Sequence, residues 1–315
     1  MSGSHRDHMG DHRGLSLWWD TLPGEAQARP GLPGDTDVDV AVVGAGYTGL
    51  WTARSLVMAD PSLRVVVLEA EVAGYGASGR NGGWCSALFA TSGAKLERDH
   101  GADAARRMQV AMQETVDEVG RAAAQDGIDC HFAKGGTVVA ARSPAQLVRA
   151  KEEVAEARRS GIGERDLAWL DAGDARELIT ASEVLGATYT PHCAAIHPAR
   201  LARGLAEAVR RRGVQVFEGT PVTEIAPGRL VTTRGTVRAQ YVIRATEGYT
   251  PDLPGLHRAI APMYSLMIAT APLPESVWEQ IGLASRPTFG DYRHLIIYGQ
   301  RTADGRLAFG GRGAP

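Results

Sequence analysis

The sequence is poor in cysteine, in net charge and in long apolar segments. Its three cysteines, Cys85, Cys130 and Cys193, lie far apart and form no CxxC pair, so neither a disulfide framework nor a zinc site is predicted. Lys and Arg number 34 and Asp and Glu 36, a formal net charge of −2 that predicts no nucleic-acid partner. No segment reaches about 18 apolar residues, and the N-terminus lacks the apolar run of a signal peptide. These absences predict a cytoplasmic protein without a membrane partner.

Three histidines stand close together near the N-terminus. His5, His8 and His12 could bind a metal ion, but their spacing is irregular and the residues around them are polar. A flexible polar leader explains them better, and the sequence predicts no metal site.

A strand, a glycine turn, a helix and a second strand follow one another in the N-terminal part of the chain. Val38–Val43 is a β-branched apolar run that predicts a buried strand, and Leu50–Met58 has a helical composition. Between them, Gly44–Gly49 reads GAGYTG and matches the GxGxxG pattern. A second apolar strand, Arg64–Leu68, ends at Glu69, twenty residues after the last glycine. This context predicts a dinucleotide-binding turn.

Each position of the glycine turn has a physical task in that prediction. Gly44 permits the tight turn, Gly46 lets a pyrophosphate reach the backbone, and Gly49 lets the helix pack closely on the strand. We expect free amides near Tyr47 and Thr48 to attract phosphate charge, since the N-terminus of a helix carries partial positive charge.

Glu69 is predicted to accept hydrogen bonds from the hydroxyl groups of an adenosine ribose. A carboxylate at that place repels a 2′-phosphate, so NADP is the least favoured dinucleotide. The alternative is an ordinary strand–turn–helix connection in which Glu69 is a solvated strand end. FAD and NAD both stay open at this point.

A second glycine-rich segment, GASGRNGG at Gly76–Gly83, favours FAD over NAD. Arg80 can offset pyrophosphate charge, and Ser78 and Asn81 can hydrogen-bond an extended ligand beyond its adenosine half. The segment resembles the FAD-dependent D-amino-acid oxidase superfamily, of the glycine, sarcosine and γ-glutamylputrescine oxidase type, and most of all the last subgroup. The alternative is a mobile surface loop. The resemblance implies flavin contacts by Ala77, Ser78, Arg80, Asn81 and Gly82.

Two later segments also resemble that family. Gly219–Ile225 resembles a strand whose backbone contacts the adenine, and Ala245–Tyr249 resembles a turn near the phosphates. Glu247 departs from the small or amide residue often found in the family, and we expect its carboxylate to point away from the pyrophosphate. Plain sheet packing is the alternative for both segments. The resemblance implies cofactor contacts by Val222, Ala245 and Thr246.

The resemblance implies an enzyme that oxidises a primary or secondary amine or an amino acid. A hydride passes to flavin N5, water hydrolyses the imine, and oxygen or another acceptor takes the electrons. Nothing in the spacing identifies a catalytic base. A flavin-binding protein without turnover is the first alternative, and an NAD-linked dehydrogenase is a weaker one. The candidate substrate residues are Tyr264, Arg293, His294, Tyr298 and Arg312.

Two further residues invite a chemical role but have simpler explanations. His197 precedes a proline at a predicted helix start, so capping or packing is favoured over catalysis. Cys85 follows the second glycine-rich segment, where a covalent flavin link is conceivable, yet a packed small residue is the favoured interpretation.

The predicted fold is α/β, with a Rossmann-type FAD-binding domain on a mostly parallel sheet and a second α+β substrate domain on an antiparallel sheet. Within the second domain we expect a hairpin over Cys130–Ala141 and a strand over Ala259–Thr270. The resemblance also predicts a further C-terminal segment, so we expect this chain to be a truncated form. The sequence makes no prediction of the oligomeric state. The predicted domains are a lead-in at 1–35, an FAD-binding domain at 36–95 and 195–252, and a substrate domain at 96–194 and 253–315.

Overall fold

A computed structural model describes residues 12–24 and 28–312 of the chain. Among these residues, no helix is long and apolar enough to cross a membrane. The strands, numbered in chain order, are β1 Thr36–Val43, β2 Val65–Leu68, β3 Trp84–Ser86, β4 Thr137–Ala141, β5 Ala168–Asp171, β6 Gly186–Thr190, β7 Cys193–Ala195, β8 Gln215–Phe217, β9 Val222–Ala226, β10 Arg229–Thr232, β11 Gly235–Arg244, β12 Ser265–Ala269, β13 Thr288–Asp291, β14 Ile297–Arg301 and β15 Leu307–Arg312. The α-helices are α1 Leu17–Asp20, α2 Tyr47–Ala59, α3 Gly93–His100, α4 Ala102–Gln125, α5 Pro144–Arg159, α6 Ala172–Leu178, α7 Pro198–Arg211 and α8 Glu275–Ile281.

The chain divides into two compact units, each built from three stretches of sequence. Each unit has its own large sheet. Unit 1 comprises Met1–Asn81, Asp126–Cys130 and Pro198–Pro262. Unit 2 comprises Gly82–Gln125, His131–His197 and Met263–Pro315.

The sheet of unit 1 has the strand order β8-β2-β1-β11-β10-β9. Strands β8, β2, β1 and β11 run parallel, and β10 and β9 add an antiparallel edge. Strand β1 lies in the middle, where its β-branched side chains pack on the core, and its last residue Val43 pairs with Leu68 and with Arg244. This is the mostly parallel sheet that the sequence predicted.

Two helices of unit 1 pack against each other beside this sheet. Helix α2 begins at Tyr47, three residues earlier than predicted, because Gly46 already has the extended backbone of an N-cap residue. Helix α7 buries an apolar stripe that includes Leu201, Leu205 and Val209. The glycine turn is therefore held between the central strand and a packed helix.

The sheet of unit 2 has the order β12-β15-β14-β13-β4-β6-β5. Only β13 and β4 pair in parallel, so the predicted antiparallel sheet is confirmed. Helix α5 has the ends that Ser143, Pro144 and Gly161 favour: the Ser143 hydroxyl accepts a hydrogen bond from Gln146 N, and Pro144 takes the first helical position. Gly161 follows the helix with a φ of 78°.

Two local predictions were wrong. Cys130–Ala141 is not a hairpin, because β4 already has β13 on one side and β6 on the other and leaves no edge for a local partner. Ala133 forms only an isolated bridge to Ala195. The predicted strand over Ala259–Thr270 is shorter, since pairing starts at β12, after Pro262, which has no N–H to donate to a ladder.

Two tryptophans of the lead-in are buried in unit 1. Trp18 and Trp19 are 3% and 1% exposed, and Trp18 Nε1 donates to the Asn81 carbonyl at 2.7 Å. Arg29, farther along the lead-in, pairs with the fully buried carboxylate of Glu218 at 2.7 Å. The described part of the lead-in therefore packs on unit 1.

Candidate functional site

The glycine turn between β1 and α2 is too tight for side chains at two of its positions. A Cβ at position 44, where φ is +105°, would lie 2.5 Å from the carbonyl oxygen of Ala245. A Cβ at position 49 would lie 2.0 Å from the carbonyl oxygen of Gly44. Both distances are far below a van der Waals contact, so the turn and the close packing of α2 on β1 require glycine.

The Glu69 side chain reaches back to this turn from the end of β2. Its Oε2 accepts a hydrogen bond from Ala45 N at 2.7 Å, and Oε1 accepts one from Glu71 N at 3.1 Å. Burial raises the pKa of Glu69 to about 7, although both hydrogen bonds act in the opposite direction. The carboxylate is thus fixed beside the turn and keeps lone pairs for a further donor. Its predicted contact with a ribose stays a prediction.

The second glycine-rich segment folds onto the first. A short 3-10 helix at Ala77–Gly79 places the Ser78 hydroxyl where it accepts a hydrogen bond from Tyr47 N at 2.9 Å. Asn81 Nδ2 donates to the carbonyls of Ala77 and Ser78, both at 3.1 Å. The Tyr47 amide is therefore not free, which corrects the sequence-based expectation for that amide.

Arg80 is held between two aromatic residues of unit 1. Its Nη2 donates to the Tyr249 hydroxyl at 2.9 Å, and its guanidinium carbon lies 5.2 Å from the centre of the Tyr75 ring. Burial raises the pKa of Tyr249. Within residues 12–24 and 28–312 no carboxylate forms an ion pair with Arg80, so its positive charge can serve an anionic ligand.

Tyr249 is a site residue that sequence reasoning missed. A Cβ at Gly76 would lie 2.8 Å from Tyr249 Cε2, so this ring lies directly on the second glycine-rich segment. The tyrosine belongs to the Ala245–Tyr249 turn, but only the small residues of that turn carried an assignment. An aromatic residue placed just after a turn near a predicted phosphate site was the available signal.

Ala245, Thr246 and Val222, the remaining predicted cofactor residues of unit 1, make contacts within that unit. Ala245 N donates to the Val43 carbonyl at 2.8 Å, and the hydroxyls of Thr246 and Thr250 lie 2.8 Å apart. Val222 begins β9 and packs on the core. Sheet packing explains Val222, and its contact with an adenine stays a prediction.

The sequence suggested that the Glu247 carboxylate points away from the predicted phosphate site, but it lies beside the start of α2. Its Oε1 accepts a hydrogen bond from the Thr48 hydroxyl at 2.9 Å, in the first turn of α2. Its backbone has a φ of 44°, in the left-handed region that glutamate rarely adopts. A carboxylate therefore lies beside the helix start at which a phosphate was predicted.

Unit 2 contains Gly82 and the predicted substrate residues. A Cβ at Gly82 would lie 2.9 Å from Tyr298 Cε2, so Tyr298 is in contact with the end of the second glycine-rich segment. Gln300, which the sequence analysis missed, is fully buried and donates from Nε2 to the carbonyls of Gly82 and Gly83 at 2.8 and 2.9 Å. Of the five substrate candidates, Tyr298 is the one that lies against a predicted cofactor residue.

The other four candidates lie elsewhere in unit 2. Tyr264 is 77% exposed, and His294 and Arg312 are also exposed. Arg293 pairs with Asp291, with Nη2 2.6 Å from Oδ2. Its guanidinium is thus engaged within the unit, and the structure gives none of these four a shared site.

His197, Cys85 and His12 each pack against neighbouring residues of their own unit. His197 is 3% exposed and packs edge-on against the His131 ring at 5.6 Å. Cys85 lies in β3 opposite Ala194 and is partly buried. His12 packs on the Trp19 ring at 5.5 Å, while His5 and His8 lie outside the described residues.

A protein-family model described as "FAD dependent oxidoreductase" matches residues 39–315. The chain belongs to this family. The match covers the glycine turn, Glu69, the second glycine-rich segment and the sheet of unit 2. FAD is the cofactor of the family, and the predicted resemblance is confirmed.

Individual relatives agree with this assignment. The chain is 35% identical over 278 residues to γ-glutamylputrescine oxidoreductase of Escherichia coli K12, covering 87% of this chain and 64% of that protein. It is 29% identical over 254 residues to glycine oxidase of Geobacillus kaustophilus, covering 75% of this chain and 62% of the relative. The chain thus spans less than two thirds of the length of these two relatives.

The crystal structure of glycine oxidase from Geobacillus kaustophilus has the same fold. It superposes with a TM-score of 0.67 at 24% identity, over 89% of this chain and 72% of that one. At this identity the likeness supports the α/β fold and nothing finer.

The side chains of unit 1 suit FAD chemically. The glycine turn leaves room for a ligand to approach the backbone, Glu69 offers a carboxylate to ribose hydroxyls, and Arg80 offers a positive charge to phosphate. Glu247, by contrast, brings a carboxylate to the first turn of α2, where its charge is wrong for a pyrophosphate. The residues therefore fit the cofactor of the family, with one exception that calls for its own explanation.

Proposed function

We propose that this chain belongs to an FAD-dependent oxidoreductase that oxidises a primary or secondary amine or an amino acid. One observation carries the proposal: within unit 1, the Ser78–Tyr47 hydrogen bond joins the second glycine-rich segment to the glycine turn, with Arg80 held beside them. A ligand bound along both segments would extend beyond the pyrophosphate, which is all that the glycine turn alone would contact. The names of the relatives, γ-glutamylputrescine oxidoreductase and glycine oxidase, suggest the substrate class.

In this proposal the residues of unit 1 bind the cofactor. Gly44 and Gly49 permit the tight turn and the close packing of α2, Gly46 lets the pyrophosphate approach the backbone, and the first turn of α2 faces its charge. Glu69 holds the adenosine ribose, and Arg80 offsets the remaining negative charge. Bound FAD would accept a hydride from the carbon beside the substrate nitrogen, after which water hydrolyses the imine and oxygen or another acceptor takes the electrons.

The residues of unit 2 then orient the substrate. Tyr298 contacts Gly82, and Gln300 fixes the carbonyls of Gly82 and Gly83. A fixed backbone and a rigid aromatic ring are suited to position an amine, and no protein base is assigned. This proposal assigns cofactor binding to unit 1 and substrate binding to unit 2. It also includes a small-molecule amine as the partner and a cytoplasmic location.

Absorbance and acid precipitation test the cofactor. The purified protein should carry a flavin absorption band, and trichloroacetic acid should release the flavin into the supernatant if it is bound non-covalently. Flavin that stays with the precipitate would indicate a covalent link. A folded protein that is colourless and takes up no added FAD would contradict the proposal and favour an NAD-linked enzyme.

Anaerobic reduction tests turnover. Addition of γ-glutamylputrescine, glycine or another amine without oxygen should bleach the flavin band, and admission of air should restore it where oxygen is the acceptor. A yellow protein that no amine of a broad panel bleaches would favour the alternative of a flavin-binding protein without turnover.

Two variants test the placement of the cofactor. In Gly46→Val, a Cβ would lie 3.0 Å from the Ser78 hydroxyl and the side chain would fill the approach to the backbone, so flavin should be lost on purification. Glu69→Arg should weaken FAD binding through loss of the ribose contact. Unchanged FAD affinity in Glu69→Arg would remove that contact from the proposal, while a fully yellow Gly46→Val protein would contradict the docking position.

A further inference from the structure

Glu247 places a carboxylate at the start of α2, where its charge opposes the proposed cofactor site. Its carboxylate accepts a hydrogen bond from the Thr48 hydroxyl at 2.9 Å, and Thr48 is the second residue of α2. The first turn of a helix attracts anions through its free N–H groups and its dipole. In this chain a side-chain carboxylate already lies there.

The backbone conformation of Glu247 is unfavourable for a glutamate. Glu247 has a φ of 44°, in a region that glycine or asparagine occupies more readily. The side chain is exposed, so core packing does not demand a glutamate there. An unfavourable backbone conformation at an exposed residue points to a role of its side chain other than core packing.

The neighbouring donors are engaged as well. Tyr47 N donates to the Ser78 hydroxyl, and the Thr48 hydroxyl donates to Glu247. A pyrophosphate near the start of α2 would meet a negative charge and would find the Thr48 hydroxyl already engaged. Both effects reduce the affinity for an anionic ligand.

We propose that Glu247 lowers the affinity of this protein for FAD by repelling the pyrophosphate and by engaging the Thr48 hydroxyl. The inference rests on the proposed function, since it takes FAD to bind at the start of α2. It assigns Glu247 as a residue that tunes cofactor loading. Binding of FAD would then require the carboxylate to turn away from Thr48.

The test is the FAD dissociation constant of the 315-residue chain after removal of bound flavin. Glu247→Gln keeps the size and one acceptor oxygen but removes the charge, and it should bind FAD about three- to tenfold more tightly than the unchanged protein. Glu247→Ala also releases the Thr48 hydroxyl, so its affinity should rise at least as much. Fluorescence quenching of added FAD measures all three proteins.

A charge control and a salt series separate this effect from a structural one. Asp37→Asn removes the same charge at the opposite end of β1, about 20 Å from the turn at the rise of a strand, and should leave FAD affinity unchanged. The ratio of dissociation constants between the unchanged protein and Glu247→Gln should approach one at about 1 M salt, where the screening length is about 3 Å. A purely structural role of Glu247 would not give this salt dependence.

The outcomes distinguish the two proposals. If the unchanged protein and both Glu247 variants take up no FAD, the proposed function fails and this inference with it. If the unchanged protein binds FAD but Glu247→Gln binds it equally or more weakly, only the inference fails. A gain in affinity that salt does not diminish would also overturn it, because the repulsion between charges would then not be its cause.

Discussion

The predicted cofactor residues of unit 1 and the predicted substrate residues of unit 2 differ in how closely the fold gathers them. In unit 1, the glycine turn, Glu69 and Ser78 are tied together by backbone contacts and hydrogen bonds. In unit 2, only Tyr298 adjoins a predicted cofactor residue, whereas Arg293 is paired with Asp291 and Tyr264 is exposed.

The difference reflects what each prediction used. A glycine turn is a local device, because its residues are neighbours in sequence and the same steric rules apply wherever it occurs. A substrate pocket brings together side chains from distant strands, so residue type alone selects poor candidates. Unit 1 should therefore be sensitive to changes in its backbone, and unit 2 should tolerate changes at most of the predicted substrate residues.

The largest effect is expected from Gly49→Val. A Cβ at this position would lie 2.0 Å from the Gly44 carbonyl oxygen and 3.1 Å from a Val42 methyl group, so α2 would have to leave β1. We expect the free energy of unfolding to fall by about 4 kcal/mol or more, with loss of flavin. Urea unfolding and flavin absorbance measure both effects.

Gly14→Val is the matched control for that variant. A Cβ at Gly14 meets no atom within 4 Å, so the change should stay within about 0.5 kcal/mol. Equal losses in the two variants would show that the tight turn is not the cause.

Next in size is the contrast between two buried aspartates, Asp126 in unit 1 and Asp291 in unit 2. Asp126 has a fully buried side chain and accepts from Arg54, itself 5% exposed, at 2.6 Å. Burial raises the pKa of Asp126, but hydrogen bonds from Arg54 and Arg212 outweigh this and the pKa is lowered. Asp126→Ala should cost about 3 to 5 kcal/mol, because it leaves the Arg54 charge buried without this carboxylate.

Asp291→Ala should cost less, about 1 to 2 kcal/mol, because its partner Arg293 is 43% exposed and can be hydrated. Urea unfolding of both variants gives the comparison. A larger loss of unfolding free energy in Asp291→Ala than in Asp126→Ala would contradict this prediction.

Glu69 should make the stability of the flavin-free protein depend on pH. Its pKa is raised from 4.5 to about 7, so the folded state binds this proton more tightly than the unfolded chain does. Stability from this group is present below pH 4.5 and is lost as the pH rises through about 7. The loss is about 3 kcal/mol at most, at about 1.4 kcal/mol per pH unit.

Glu69→Gln removes this titration and serves as the reference. As the pH rises from 4 to 8, the unfolding free energy of the unchanged protein should fall relative to that of Glu69→Gln. A difference that is constant with pH would contradict the buried position of the carboxylate.

The smallest effects concern the substrate candidates. Tyr298→Phe should raise the KM for the amine about tenfold if its hydroxyl binds substrate, as a hydrogen bond to a charged group is worth about 1.5 kcal/mol. Arg293→Lys keeps the ion pair with Asp291 and should change KM less than about twofold, since the Arg293 guanidinium is engaged by that carboxylate. Steady-state kinetics separate the two, and a large KM effect only in Arg293→Lys would exchange their roles.

Local patterns predicted much of the fold, and pairing over long distances explains the errors. The ends of α5 followed from Ser143, Pro144 and Gly161, which act on their own neighbours. The supposed hairpin at Cys130–Ala141 failed because β4 pairs with β6 and β13, which come much later in the chain. No local pattern distinguishes a hairpin from a central strand with distant partners.

The same division holds for the site. The sequence by itself determined the glycine turn, the acid at the end of β2, the family and its cofactor, because these depend on residues at fixed short spacings whose steric and electrostatic tasks are general. Only the tertiary structure decided that Ser78 occupies the Tyr47 amide, that Tyr249 holds Arg80, that Gln300 fixes Gly82 and Gly83, and that Glu247 reaches Thr48. Each of these contacts joins residues far apart in sequence, and their meeting depends on how strands and helices pack.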